Sequence, residues 1–341
     1  MSRTQINQPK VIGTLVGSFS TVENTAQKVL LIAQKTTNGS AVADTLEQNV
    51  QNNNTIVNGL FGARSMIANA IRGFRKINTE TQLDVIVLAD NVSGVPNIHT
   101  IVMTGPATAS GTLTVVVGSE IDHTISVAVT NGDTNIEIAT AIVAAIDADT
   151  QVPVIAANGT GTLATVSITA VNDGTVGNAL GVSISGVIAG VGFTLTNTNV
   201  GALDPSFTTG LALVADIRYQ NIIWPYSEDL TTIQNFLSPR FNNSGILLDG
   251  RAVTSITDTF SNLETTGNGE NDQNLKIIGD FAVSVTNNIS PGMFEIPYVK
   301  AAYDVGITSR RLSDGVSIAD LVIANVGSLD RFGGNAIASL P

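Results

Sequence analysis

The sequence predicts an α/β core domain, a mixed but largely parallel sheet with flanking helices, carrying an inserted, mainly β (α+β) domain. Three observations point there. Short continuous apolar runs alternate with amphipathic stripes toward both ends of the chain. In the middle that alternation gives way to brief strand-like pieces punctuated by Gly, Asn and Asp. Charge changes at the same places: no Lys or Arg stands between Lys76 and Arg218, while twelve acids do, equal to the whole formal net charge of -12 on the 341 residues. The organisation that follows is an N-terminal arm over 1–25, core over 26–96, an acidic β-rich insertion over 97–204, and core again over 205–341.

The first core part opens with Lys28–Gln34 (KVLLIAQ), an apolar run of the buried parallel-strand type. Gly59–Ile77 follows with Leu60, Ala63, Ile67, Ala70, Ile71, Phe74 and Ile77 on a helical stripe. Leu83–Ala89 (LDVIVLA) is a second buried strand, completing a strand–helix–strand unit. The chain then leaves the core near Asn91–Pro96. Strands are expected at Ile98–Thr104, Thr112–Gly118, His123–Val129, Pro153–Ala156 and Leu163–Ala170, with further short ones around Val182, Ile184 and Val187. One helix interrupts them, Thr134–Ala148, where Thr134 and Glu137 form a T-x-x-E capping box. The chain returns near Asp204–Pro205. Gly210–Tyr219 reads as a helix and Asn221–Trp224 as a strand. Ser227–Leu237 reads as a helix with Ser227 as N-cap and Glu228 and Asp229 in its first turn. Gly245–Leu248 reads as a strand, Ile256–Leu263 as a helix and Asn274–Gly279 as a strand.

Composition excludes much chemistry. There are no cysteines, hence no disulfide scaffold, thiol nucleophile or Cys-ligated metal. Two histidines, His99 and His123, are too few for a multi-His metal site. The acidic balance and the missing basic stripe argue against nucleic acid. Gly174–Leu203 is long and uncharged but broken by Gly and Ser, so it reads as strands and turns and not as a membrane span. No secretory signal pattern is visible at the start.

A search for catalytic motifs yields little. Neither a phosphate-binding P-loop nor a G-x-S-x-G elbow is present. Gly159–Ala164 resembles a dinucleotide turn, but a strand follows it where a helix is required. Asp122 and His123 are adjacent in a strand and point to opposite faces. Gly267–Asp272 (GNGEND) offers Glu270 and Asp272 to a calcium ion but lacks the full ligand spacing, so it reads as a solvated loop. Glu228–Asp229 reads as helix-start capping, and Arg310–Arg311 as a solvated pair. No enzyme and no cofactor are expected.

Assembly is the activity the residues do suggest. Lys10–Phe19 is a short β-prone segment, either an edge strand of its own domain or an arm that adds a strand to another subunit. Its candidate contact residues are Lys10, Val11, Ile12, Thr14, Leu15, Val16 and Phe19. The 39 Thr and 31 Asn outnumber the 28 acids and 16 bases together, which suits many-subunit packing because few charges need desolvating.

Several passages follow one another in a familiar order. KVLLIAQKTTNGSA leads into LFGARSMIANAIRGFRKIN, an L-F-G-x-G-S-like helix entry, and then LDVIVLAD. GTLTVVVG, NGDTNIEIATAIVAAIDA, PVIAA and VNDGTVGN supply G-D-T, A-I-x-A and N-x-G-x-x-G-N landmarks. NIIWPYSEDL supplies a strand–P-Y-[ST]-[DE] step. This succession resembles bacteriophage contractile tail sheath proteins of the Mu-like kind over about residues 10–265. Ala63 stands where that family often has glycine. The chain also stops at Pro341, where many sheath proteins continue, so it is either a short form or a truncated one. The resemblance implies a virion subunit assembled in the host bacterial cytoplasm. Such subunits form homo-hexameric rings stacked into a helical polymer around a tail tube protein, with baseplate and tail terminator proteins as further partners. On contraction the sheath drives the tube through the host envelope. It implies no catalytic, cofactor or metal residues, no nucleic acid and no membrane insertion. A secreted adhesin or surface-layer protein is the alternative that composition allows, and an α/β enzyme is a third reading.

Overall fold

The computed structural model describes residues 27–159, 164–241, 248–270, 272–281 and 295–314. β1 (Lys28–Gln34) is buried at every residue after Lys28, as a strand covered on both faces must be. A short β2 (Thr45–Glu47) precedes α1 (Asn54–Phe61) and α2 (Met66–Ile77), and β3 (Gln82–Leu88) is again buried after its first residue. The stripe expected as one helix over Gly59–Ile77 is two. The first begins earlier, where the Asn53 side chain accepts from the N–H groups of Thr55 and Ile56. It stops at Gly62, whose φ of 87° is a region that disfavours a side chain, and a Cβ there would lie 1.9 Å from Thr36 Oγ1. Ser65 restarts the helix, its hydroxyl accepting from Ala68 N–H at 3.0 Å.

The next stretch contains β4 (Ile98–Thr104), β5 (Gly111–Val117), β6 (Ser119–Val129), α3 (Asn135–Ala148), β7 (Val154–Asn158), β8 (Thr165–Ala170), β9 (Val182–Ser185) and β10 (Gly192–Asn199). The capping box forms at the start of α3: Glu137 N–H donates to Thr134 Oγ1 at 3.3 Å, and Thr134 N–H donates back to Glu137 Oε2 at 2.8 Å. Those bonds hold the exposed Glu137 carboxyl below its ordinary pKa. The uncharged 174–203 stretch holds a 3-10 turn and two strands. No helix among the described residues is long and apolar enough to cross a membrane.

The last stretch contains α4 (Thr208–Ala212), β11 (Asn221–Ile223), α5 (Leu230–Leu237), β12 (Arg251–Asp258), α6 (Phe260–Gly269), β13 (Leu275–Phe281) and α7 (Pro297–Asp314). Three expectations need correction here. The helix expected over Gly210–Tyr219 ends at Ala212, because the Arg240 guanidinium collects the carbonyls of Val214, Ala215 and Ile217 and holds them in turns. The cap of α5 is Asp229, not Ser227: its carboxylate accepts from Thr232 N–H at 3.1 Å and from the Thr232 hydroxyl at 2.7 Å. The helix expected over Ile256–Leu263 straddles a boundary. Residues through Asp258 pair in β12, and the Thr259 hydroxyl then caps α6. The strand expected at Gly245–Leu248 falls mostly outside the described residues, and Leu248 is not in a strand.

The strands form three sheets. A six-stranded sheet runs β13-β12-β11-β1-β3-β2, parallel except for β2 at its edge. An antiparallel sheet runs β10-β4-β8-β7, and a smaller one runs β6-β5-β9. Helices α2 and α7 pack on each other, α2 also on β1 and α7 on β11 and β12, while α3 lies across β4, β7 and β8. Phe207, Trp224 and Tyr226 interlock beside β11 with ring centroids 4.6–5.3 Å apart. The molecule therefore combines helices with both parallel and antiparallel sheets, and all of β4–β10 comes in the chain between β3 and β11, the two strands that flank β1 in the large sheet.

Candidate functional site

In a parallel α/β sheet, ligands settle in the crevice beyond the C-terminal ends of the strands. Here that position, at the ends of β1 and β3, is occupied by the chain's own polar groups. Gln34, fully buried at the end of β1, donates through Nε2 to Asp90 Oδ1 at 2.7 Å and to Asp173 O at 2.8 Å. Its Oε1 accepts from the Tyr226 hydroxyl at 3.3 Å. Asn172 donates to Lys35 O at 2.9 Å and to Asp90 Oδ1 at 3.0 Å, and its Oδ1 accepts from Met66 N–H at 2.9 Å. Asn172, which follows β8, thus satisfies one of the orphan amides at the start of α2.

Asp204 secures the other side of this joint. Its carboxylate accepts from Thr175 N–H at 2.7 Å and from the Thr175 hydroxyl at 2.6 Å, and its carbonyl accepts from Asn91 Nδ2 at 3.0 Å. Gly174, at φ 106°, leaves no room for a Cβ, which would stand 2.4 Å from Asp204 Oδ1. Asn178 bridges Asn97 and Gly201. The N-x-G-x-x-G-N landmark thus fastens β4–β10 to the large sheet at the two crossings between them. Burial raises the Asp90 pKa, the Asp173 charge adding to the effect and the amide bonds opposing it. Burial likewise raises Asp173, and it drives the Tyr226 phenol far above its ordinary value.

A second fastening lies at the turn between α1 and α2. Arg64 donates to Asp147 Oδ1 at 3.2 Å, to Asp147 O at 2.9 Å and to the Val154 carbonyl. The core thereby caps the C-terminus of α3 while Asn172 caps α2 in return. Beyond it a polar cleft of about 150 Å³ runs among Arg72, Lys76, His123, Asp149, Glu295 and Tyr303, below the ~300–1,000 Å³ of ligand pockets. His123 Nδ1 meets Asp149 Oδ2 at 2.9 Å, an acid 26 residues along the chain. His99 is buried, and burial lowers its pKa. Among the described residues no group of three or more His, Asp or Glu is placed to hold a metal.

The sequence candidates fare unequally. Lys10, Val11, Ile12, Thr14, Leu15, Val16 and Phe19 lie outside the described residues. Glu270 and Asp272 sit at the end of α6, where Glu270 Oε2 accepts from Gln234 Nε2 at 2.6 Å and Asp272 Oδ1 from Asn274 N–H at 2.7 Å. Arg310 is exposed on α7 and donates to Ile77 O at 3.2 Å. Gln34, Arg64 and Asp204 were not singled out by sequence, since each gains its meaning from residues far along the chain. Asn172 was visible only as part of a landmark.

No protein-family model matches the chain. In sequence it is similar to the Mu-like prophage FluMu tail sheath protein of Haemophilus influenzae, 28% identical over 208 residues. That match covers 59% of this chain and 41% of the relative, so the chain spans about two-fifths of the curated protein it matches. Structure comparison returns a sheath tail protein of Desulfitobacterium hafniense, 10% identical with a TM-score of 0.34, covering 83% of this chain and 59% of that one. It also returns a sheath tail protein of Listeria innocua, 13% identical with a TM-score of 0.31, covering 83% and 56%. The likeness to Mu-like tail sheath proteins read in the residues is thus met again in a curated relative.

Proposed function

We propose that the chain is a structural subunit of a bacteriophage contractile tail sheath. It polymerises as stacked hexameric rings around a tail tube and contracts to drive the tube through the host envelope. The observation that carries this reading is the 28% identity over 208 residues to a Mu-like prophage tail sheath protein. Geometry supports it from another side: the crevice where an α/β fold would hold a ligand is filled by Gln34, Asp90 and Asn172, so these polar groups serve rigidity. On this reading 97–204 is an inserted acidic domain on the outer surface, riveted to a core made of 26–96 and 205–341. Residues 1–25 are an arm, whose Lys10, Val11, Ile12, Thr14, Leu15, Val16 and Phe19 add a strand to a neighbouring subunit. Partners are further copies, the tube, and the baseplate and terminator proteins of a virion tail assembled in the host cytoplasm. Contraction is a repacking between two lattices, with no bond made or broken in a substrate.

Negative-stain microscopy of the purified protein tests this. Tubes or hexameric rings are expected, and a monodisperse monomer at high concentration overturns the sheath reading. Deleting residues 1–20 should abolish polymers while leaving the circular dichroism of a folded monomer. Normal polymers from that deletant refute the arm.

A further inference from the structure

The four-stranded sheet has two edges, and they are finished differently. On β7 the outward backbone groups include the Val154 carbonyl and the Ala156 N–H. Arg64 donates to the first, and the second donates to Asp147 Oδ1 at 3.3 Å. That edge is closed by charge. On β10 the pattern follows from its neighbours. Met103 N–H donates to Ala164 O and Ala170 N–H to Asn97 O, both at 2.9 Å, so the odd-numbered residues of β4 face β8. The even-numbered ones face β10, in register with Gly192, Thr194 and Thr196. The N–H and C=O groups of Phe193, Leu195 and Asn197 therefore point outward, and no described residue partners them. Asn197 Oδ1 is also buried without a donor among the described residues.

Edge strands normally carry a guard against pairing. β2 is three residues long and β9 four, the pairing of β6 with β5 is irregular between Val116 and Val117, and on β13 Lys276 and Asp280 pair with α7. β10, eight residues reading GFTLTNTN, has neither charge nor proline, and its irregularity falls only between Asn197 and Asn199. The sheet face beside it is uncharged too, formed by Thr100, Val102, Thr165, Ser167, Thr194 and Thr196.

We propose that β10 pairs with β10 of a second copy of this chain, antiparallel across a two-fold axis at Leu195, joining two four-stranded sheets into one. A second copy is the occupant that the strand's own pattern selects. Phe193 then opposes Asn197 of the second copy and Leu195 opposes its equivalent, so every outward group of all three residues is satisfied in both copies. Each chain carries a net charge of -12, so two copies meet at least electrostatic cost along a stretch that adds no like charges at close range. This closed, self-complementary contact differs from the head-to-tail contacts of a helical sheath. Its failure would leave the sheath reading intact, and the reverse also holds.

The register makes the test specific, because position 194 of one copy faces 196 of the other and neither faces itself. The chain has no cysteine. Full-length Thr194→Cys and Thr196→Cys variants, mixed and mildly oxidised, should give a covalent dimer on a non-reducing gel several-fold above either variant alone. They should also exceed Ile155→Cys, an exposed position on the closed edge. A mixed yield no higher than these overturns the proposal. Thr194→Glu with Thr196→Glu, both on the uncharged face, should lower the mass of the sedimenting species relative to the parent, whatever larger assembly it forms; an unchanged mass overturns it as well. Were residues 1–25 to cover the edge instead, cross-linking would appear only after their removal, and that result also overturns it.

Discussion

The parallel sheet buries β1 and β3 on both faces, whereas the four-stranded antiparallel sheet buries one face and leaves the other to threonine. Along β1 the residues Val29 to Ala33 are wholly buried, and each large aliphatic among them contributes about 1.5–3 kcal/mol. Along β4 burial alternates, with Ile101 and Met103 inward and Val102 exposed. The first region has a thick core that takes in an ion pair, Lys300–Asp280, linking α7 to β13. The second keeps its charges off its open face and off β10. One region is covered on both faces of its sheet, and the other keeps one face and one edge free of charge.

Substitutions can break or sharpen that contrast. The largest effect is expected where the doubly covered region holds its buried ion pair. Lys300→Met leaves Asp280 buried without its cation and should cost roughly 3–5 kcal/mol in urea unfolding. Replacing Asp280 by Leu as well should recover most of that loss; no recovery means the pair itself supplies net stability. In the antiparallel region Thr134→Ala removes the capping box of α3 and should cost about 0.5–2 kcal/mol, read as a lowered thermal midpoint.

The smallest effect belongs to the joint between the regions, and it is a change of slope. Burial holds Asp90 above its ordinary pKa in the folded chain, so its contribution to stability is fully present below the unfolded pKa and is lost as pH rises through the folded one. Asp90→Asn keeps an acceptor for Gln34 and Asn172 without the titration. Relative to this variant, the parent should gain stability as pH falls from neutrality toward 4. Parallel urea midpoints across that range would sink the assignment.

Much of the fold could be read in advance where the cause is local. Val29–Ala33 and Val85–Leu88 are unbroken apolar runs on both sides of the pleat, so their two-sided burial shows without a partner in view. Thr134 and Glu137 are three residues apart, and the box they make needs only its own helix. The reading failed where the deciding contact lies elsewhere. Arg240 unwinds the chain after Ala212 from about 25 residues away. Ile256 and Thr257 look helical beside Leu263 until β13 pairs with them.

Residue order and charge, then, were enough to establish the buried parallel strands, the capped helix and the acidic middle, because periodicity and capping act over a few residues; the likeness to sheath proteins was carried by the succession of motifs. Only tertiary structure decided that Asn172 fills the strand-end crevice, that Asp204 pins Thr175, that Arg64 closes β7, and that no described residue covers β10. The fastenings rest on hydrogen bonds between groups tens to more than a hundred positions apart, and such a bond exists only once folding has brought distant segments together.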